Sequence, residues 1–155
     1  QIISQRPDYS FVFTGPEDDG FRQHRIHSLK NAYFTGQKKV DELPAYITAY
    51  DVCINPQMVN DITDGNYPLK IDEYLAMGKP TVATSTHTMR HIFADHTHLA
   101  TNPEEWLSAI DRAVTEADDK ELAKQRIAFA ETHSWGHSVK KIYGIIDNFL
   151  KEKAT

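Results

Sequence analysis

Hydrophobic positions fall into short blocks, most of them two or three residues long, separated by polar turns and by stretches with helical spacing. Phe11-Val12-Phe13 is an apolar run halted by Gly15-Pro16, and Ala32-Tyr33-Phe34 is another, ended by Gly36. Val52-Cys53-Ile54 is closed by Asn55-Pro56, and β-branched Thr81-Val82 follows Lys79-Pro80. Each block reads as a buried strand bounded by turn residues. Between them lie helical patterns. Residues 18–29 form a weak one, with Phe21, Ile26 and Leu29 inward. Asp41 is placed to cap a second, with Pro44 in its tolerated first turn and Leu43, Tyr46, Ile47 and Tyr50 at helical spacing. A third carries Pro68 in its first turn and stops at Gly78. Strand followed by helix, repeated, predicts an α/β fold: a Rossmann-like, doubly wound parallel sheet covered on both faces.

The second half is richer in helix. Residues 86–93 suit a short helical turn, and Leu99-Ala100 a brief edge strand. Asn102, followed by Pro103 and Glu105, predicts a capping box for a helix with Leu107, Ile110 and Val114 inward. Asp119 opens another helix through Leu122, Ala123, Ile127 and Ala130. From Ser134 a stripe of Val139, Ile142, Tyr143, Ile146, Phe149 and Leu150 predicts a last helix packed on this domain or on a neighbouring one, with a partner-binding face as the other use. No repeat, low-complexity tract or linker divides the 155 residues, so one domain is expected over 1–155.

Composition narrows the class without naming it. Hydrophobic content of 40% and charged content of 25% are globular values. A net charge of −5 argues against a nucleic-acid partner, because no long basic face is available to neutralise a phosphate backbone. No apolar run approaches membrane-spanning length and no signal peptide opens the chain. The one cysteine, Cys53, reads as a small buried hydrophobe, which fits a cytoplasmic protein. A first residue of Gln1 rather than Met leads us to expect a fragment of a longer protein.

Candidate chemistry concentrates on residues 64–83. In an open parallel sheet ligands bind beyond the carboxyl ends of the strands, and the polar loop Asp64-Gly65-Asn66 lands on that edge. An uncovered helix start has N–H groups without partners and a positive dipole end, so it suits an anion. Lys70 and Glu73 stand three apart just inside the start, off the core face made by Ile71, Tyr74, Leu75 and Gly78. A cation beside free N–H groups with a carboxylate one turn on suits a phosphate followed by a sugar diol. The plainer alternative is a surface ion pair worth tenths of a kcal/mol.

Other features carry less. Gly15-Pro16 could bring backbone near a phosphate or simply end a strand, and Lys38 and Lys39 could hold an anion or be solvated. Among the eight histidines, His87/His91, His133/His137 and His96/His98 form pairs, but zinc needs three or four converging ligands and no third is supplied, so no metal site is expected. The chain has no Gly-x-Ser-x-Gly elbow, Cys–His pair or Walker loop, which leaves a covalent hydrolase or phosphate-loop NTPase without its signature.

From Pro68-Leu69-Lys70-Ile71-Asp72-Glu73-Tyr74-Leu75-Ala76-Met77-Gly78-Lys79-Pro80 the chain resembles the C-terminal half of a GT-B glycosyltransferase of the family 4 kind. Those proteins carry Glu-Ala-Met-Ala-x-Gly-x-Pro-Val here, and a subgroup reads Pro-Leu-Lys-x-Tyr-Glu-Tyr-Leu-Ala-x-Gly-Lys-Pro. The similarity extends to Phe34-Thr35-Gly36 with Asp41-Glu42-Leu43-Pro44, to residues 49–56, and to Ser134-Trp135, in the family's order and over about four-fifths of the chain. By this resemblance Glu73 would hold the ribose hydroxyls of a nucleotide, and Leu69 and Lys70 would face its diphosphate. Gly36, Gln37 and Lys38 would border the base, and Tyr67 belongs to the same loop. The donor would be a nucleotide-sugar. The fold would use no cofactor or metal, since helix N-termini and basic side chains take the leaving group's charge. The acceptor would be a glycan or lipid-linked molecule in polysaccharide or cell-envelope synthesis, bound through an N-terminal domain. The full enzyme would be cytoplasmic, peripheral to the inner face of the membrane.

Two departures bear on this. The family's first Glu falls at Gly65, with Asp64 the neighbouring carboxylate, and the diphosphate-binding first strand of this domain would precede Gln1. Catalytic residues are therefore not assignable, and the fragment alone is expected to be inactive. A nucleotide-sugar epimerase shares the fold and stays open. So does a non-catalytic module such as a receiver, although Asp51 opens its strand rather than ending it.

Overall fold

The computed structural model describes residues 1–153. Its strands pair in parallel in two ladders: β1 (Phe11–Thr14) with β2 (Ala32–Gly36), and β3 (Cys53–Asn55), β4 (Thr81–Thr84) and β5 (His98–Ala100) in that order. The helices are α1 (Asp19–Arg22), α2 (Leu43–Ala49), α3 (Leu69–Ala76), α4 (Pro103–Thr115), α5 (Lys120–Glu131) and α6 (Trp135–Lys153).

Strand β4 is buried along its whole length. Successive side chains of a strand face opposite ways. Val82 packs with Trp106, Ala109 and Ile110 of α4 and with Phe11 of β1. Its neighbour Ala83 packs with Ile71 and Leu75 of α3, Met89 and Phe93, and Ala130 of α5. The sheet is covered on both faces, and the Rossmann-like α/β class is as the alternation of elements predicts. Phe93, Ile71 and Leu75 are fully buried, each worth about 1.5–3 kcal/mol.

Several elements depart from their expected form. Residues 18–29 are not one helix. Asp18 caps α1 by accepting the Phe21 N–H at 2.7 Å, and His24 then takes an extended backbone and accepts the Ile26 N–H at 3.2 Å, starting a separate 3₁₀ turn, Arg25–Ser28. Glu42 rather than Asp41 precedes α2, and its carboxylate accepts the Lys39 N–H at 2.9 Å. Residues 89–93 wind as a π turn. In α4 the buried positions are Trp106, Ala109, Ile110 and Ala113, while Leu107 and Val114 are half-buried. Asn102 accepts the Glu105 N–H at 2.9 Å as expected, but Glu105 reaches back to Thr101, whose N–H and hydroxyl it accepts at 2.7 and 2.6 Å.

Two helix faces bear on the expected packing. In α5 Ala130 is buried as expected, but Arg126 is buried with it while Ile127 is exposed; Glu116 and the Gly78 carbonyl (3.5 Å) supply the guanidinium with partners. In α6 no residue is buried, so its apolar stripe does not pack on the rest of the described chain. The N-terminal residues 1–9 also pack on the domain. Ile2, Ile3 and Tyr9 pack on the core, and Arg6 forks onto Asp111, with Nε 2.7 Å from Oδ1.

Candidate functional site

The site grows from the carboxyl ends of β3 and β4. Asn55 is the buried last residue of β3, and beyond Pro56 the Gln57 N–H donates to Thr84 Oγ1 at 2.8 Å. That bond ties the departing loop to the end of β4. The loop is pinned a second time at Asp64. Its Oδ1 accepts the His87 N–H at 2.6 Å, and its carbonyl accepts the Thr88 N–H at 3.3 Å. Beyond the second pin the chain turns back through residues 65–68 into α3.

A cleft of about 320 Å³ opens where the strand end meets the helix start. Asn55, Pro56 and Gln57 form one wall, and Asn66, Tyr67, Pro68, Leu69 and Lys70 the other. Pro68 takes the capping position and offers no side-chain acceptor, while its carbonyl accepts the Ile71 N–H at 2.9 Å. Among the described residues the Leu69 and Lys70 N–H groups have no acceptor. These are the orphan donors of a helix start, at its positive end, with an ammonium alongside. Chemically the arrangement can hold an anion.

Lys70 and Glu73 are both exposed, and among the described residues neither makes an ion pair or a side-chain hydrogen bond. The surface pair that the i,i+3 spacing allows is not formed. Glu73 stands on the open face of α3, outside the cleft lining. Its charge adds to the effect of burial on Tyr74, whose phenol is pushed up to about 12. Tyr67, Leu69 and Lys70 are therefore brought together in the cleft, and Asp64 supports it from behind through His87.

Gly36, Gln37 and Lys38 stand at the end of β2, in the other ladder, and do not line the cleft. Gly36 has φ +70° and its carbonyl accepts the Gly15 N–H at 3.1 Å, so Gly15 ends its strand in a turn bonded to β2. Lys38 Nζ lies 5.1 Å from the Tyr46 ring centre. Of the histidine pairs, His87 and His91 stack at 4.0 Å; among the described residues no three His, Cys, Asp or Glu side chains form a metal-binding group.

Sequence reasoning missed Asp72 and His133. Tyr67 donates its phenol O–H to Asp72 Oδ2 at 2.6 Å, and His133 Nδ1 lies 2.9 Å from Asp72 Oδ1. Burial first, and then the carboxylate, push the Tyr67 phenol well above the usual tyrosine range. The spacing of Tyr67 and Asp72 carries no helical signal, and His133 is remote in sequence. Asn55 was visible only as a strand-ending polar residue, and Gln57 carried no signal of its own.

A larger groove, about 500 Å³, runs along α4 past Leu107, Ser108, Arg112 and the Arg6–Asp111 pair. It lies away from the strand ends, and Asp111 there is already committed to Arg6 and Tyr9, which hold its carboxyl below the usual range. The cleft at β3 is the better candidate.

Residues 1–116 match the family described as Glycosyl transferases group 1, three-quarters of the chain. The chain belongs to that family. It is also 28% identical over 145 residues to the putative teichuronic acid biosynthesis glycosyltransferase TuaH of Bacillus subtilis (strain 168). That match covers 89% of this chain and 36% of TuaH, so the chain spans about a third of its relative's length. The group 1 glycosyl transferase match includes the whole cleft, from Asn55 to Lys70, and excludes α5 and α6. Among the described residues no helix is long and apolar enough to cross a membrane.

Proposed function

We propose that this chain is the donor-binding part of a glycosyltransferase and that the cleft at the start of α3 receives the diphosphate of a nucleotide-sugar. The observation that carries the reading is the open start of α3, where the unpartnered Leu69 and Lys70 N–H groups and the Lys70 ammonium surround one cleft. Glycosyl transfer places negative charge on the departing nucleoside diphosphate. Fixed N–H donors and a cation aimed at that position stabilise the charge as it develops, without a metal ion. Glu73, one turn on, is assigned to the ribose, where a carboxylate accepts from two neighbouring hydroxyls. Gly36, Gln37 and Lys38 are assigned to the base. Asp64 is assigned to shaping the loop, since Oδ1 is engaged by the His87 N–H.

The acceptor is proposed to be a glycan or lipid-linked molecule in polysaccharide synthesis, a reading supported by the relative named for teichuronic acid biosynthesis. The acceptor and the catalytic base are proposed to be held by another part of the full enzyme, working at the cytoplasmic face of a membrane.

Calorimetric titration with UDP, GDP and ADP tests the donor site. We expect at least one to bind, with Lys70→Ala weakening the diphosphate about three- to tenfold while leaving the nucleoside unchanged, the net size of an ordinary hydrogen bond at an exposed site. Glu73→Ala is expected to weaken both. Equal, negligible effects of the two substitutions would remove the role assignments.

A further inference from the structure

Asp72 occupies the position next to Glu73 on α3 but turns the other way. Its two carboxylate oxygens are both engaged: Oδ2 by the Tyr67 phenol at 2.6 Å, Oδ1 by His133 Nδ1 at 2.9 Å. The Asp72 side chain is 19% exposed and that of His133 25%, so this contact is largely shielded from water. Tyr67 is the wall residue immediately before Pro68-Leu69-Lys70, and its ring tilts against fully buried Phe93 at 5.5 Å. His133 lies just beyond the end of α5, edge-on to Phe129 at 4.6 Å and to Phe93 at 5.8 Å. One carboxylate thus joins the cleft wall, the first turn of α3 and the end of α5.

We propose that Asp72 is a positioning residue for the cleft, holding Tyr67 against Phe93 and anchoring the helix start to α5 through His133. The physical case is one of entropy and reach. A helix start binds an anion only while its donors point at one place, and a displacement of about an ångström costs much of that advantage. Residues 65–67 have no strand ladder of their own. Leu69 and Lys70 are exposed, and the loop's pins at Gln57 and Asp64 lie on its far side. On the near side the constraint is the phenol–carboxylate–imidazole chain. Its His133–Asp72 contact is part-buried, and hydrogen bonds to a charged group are stronger than neutral ones. The effect on ligand binding rests on the donor-site reading above, whereas the anchoring itself does not.

The test uses the whole chain and three variants: Asp72→Asn, His133→Phe, and His133→Asn, which keeps a donor near the place of Nδ1. Amide hydrogen exchange is followed at Asn66 and Ile71, whose N–H groups bond to Thr63 and Pro68 carbonyls, and at residues 81–84 of β4 as a control. Exchange at Asn66 and Ile71 is expected to speed up about tenfold in Asp72→Asn and His133→Phe, less in His133→Asn, and not at all in β4. UDP, GDP or ADP affinity is expected to fall about three- to tenfold in the first two variants. Wild-type exchange at Asn66 and Ile71 in both would overturn the proposal. So would acceleration in β4 of the same size, which marks general loosening rather than local positioning. If the loop loosens but the wild-type chain binds none of the three nucleotides, the anchoring stands and the donor-site reading fails.

Discussion

Cys53 is 4% exposed on β3, and burial pushes its thiol up to about 12, with Lys79 pulling the other way. An unfolded cysteine titrates near about 8.5. Above that pH the unfolded chain releases a proton that the folded chain retains, so the unfolded state binds fewer protons and stability falls as pH rises. The loss continues until the folded thiol itself ionises, at up to about 1.4 kcal/mol per pH unit. Tyr74, also raised to about 12, adds to it only above about pH 10, where a free tyrosine begins to titrate. Denaturant unfolding at about pH 8, 9 and 10 is therefore expected to give a falling stability whose slope flattens in Cys53→Ala. The slope is the readout, since the lost side-chain volume shifts all pH values together. Parallel slopes would contradict the assignment. The burial of Cys53 was legible in the sequence because the thiol sits in an apolar run between turn residues; the Asp72–His133 contact was not, because nothing local announces a partner across the fold.

At the scale of elements, Gly78 is the reason α3 stops where it does. Its φ of +71° is left-handed, and the Gly78 and Lys79 N–H groups return to the Leu75 and Tyr74 carbonyls at 2.8 and 3.0 Å. This is the glycine stop expected from the sequence. The packing behind it is new information: a Cβ at Gly78 would lie 3.1 Å from the Ala123 Cβ of α5. Gly78→Ala is expected to cost about 1–3 kcal/mol, from left-handed strain and this crowding together, lowering Tm by several degrees. Ala123→Gly in the same chain should recover the crowding part alone; full recovery would show that the backbone is not strained. Periodicity located α5 and Ala130 on its inner face, but put Ile127 there and missed Arg126. A charged residue reads as outward in any hydrophobic pattern, and Arg126 is inward because Glu116 meets it and a second oxygen of Glu116 lies 3.0 Å from His98. Pairs of this kind are closed between elements and leave no trace in spacing.

At the scale of the molecule, the order of strands and helices placed the cleft before any contact was known, since loops at the carboxyl ends of parallel strands are where a doubly wound sheet binds ligands. What the order could not reveal was how the loop is held: Gln57 on Thr84, Asp64 on His87, Tyr67 on Asp72. Nor could it reveal that α6 presents Val139, Ile142, Tyr143, Ile146, Phe149 and Leu150 outward along its length, because an apolar stripe predicts burial without naming the surface that covers it. The central claim is that the open start of α3 receives the diphosphate of a nucleotide-sugar. Backbone amide NMR of the whole chain during titration with a nucleoside diphosphate tests it most directly. The account predicts the largest shifts at Leu69, Lys70 and Gln57, and their loss in Lys70→Ala; shifts confined to the α4 groove around Asp111 and Arg112, or none at any residue, would contradict it.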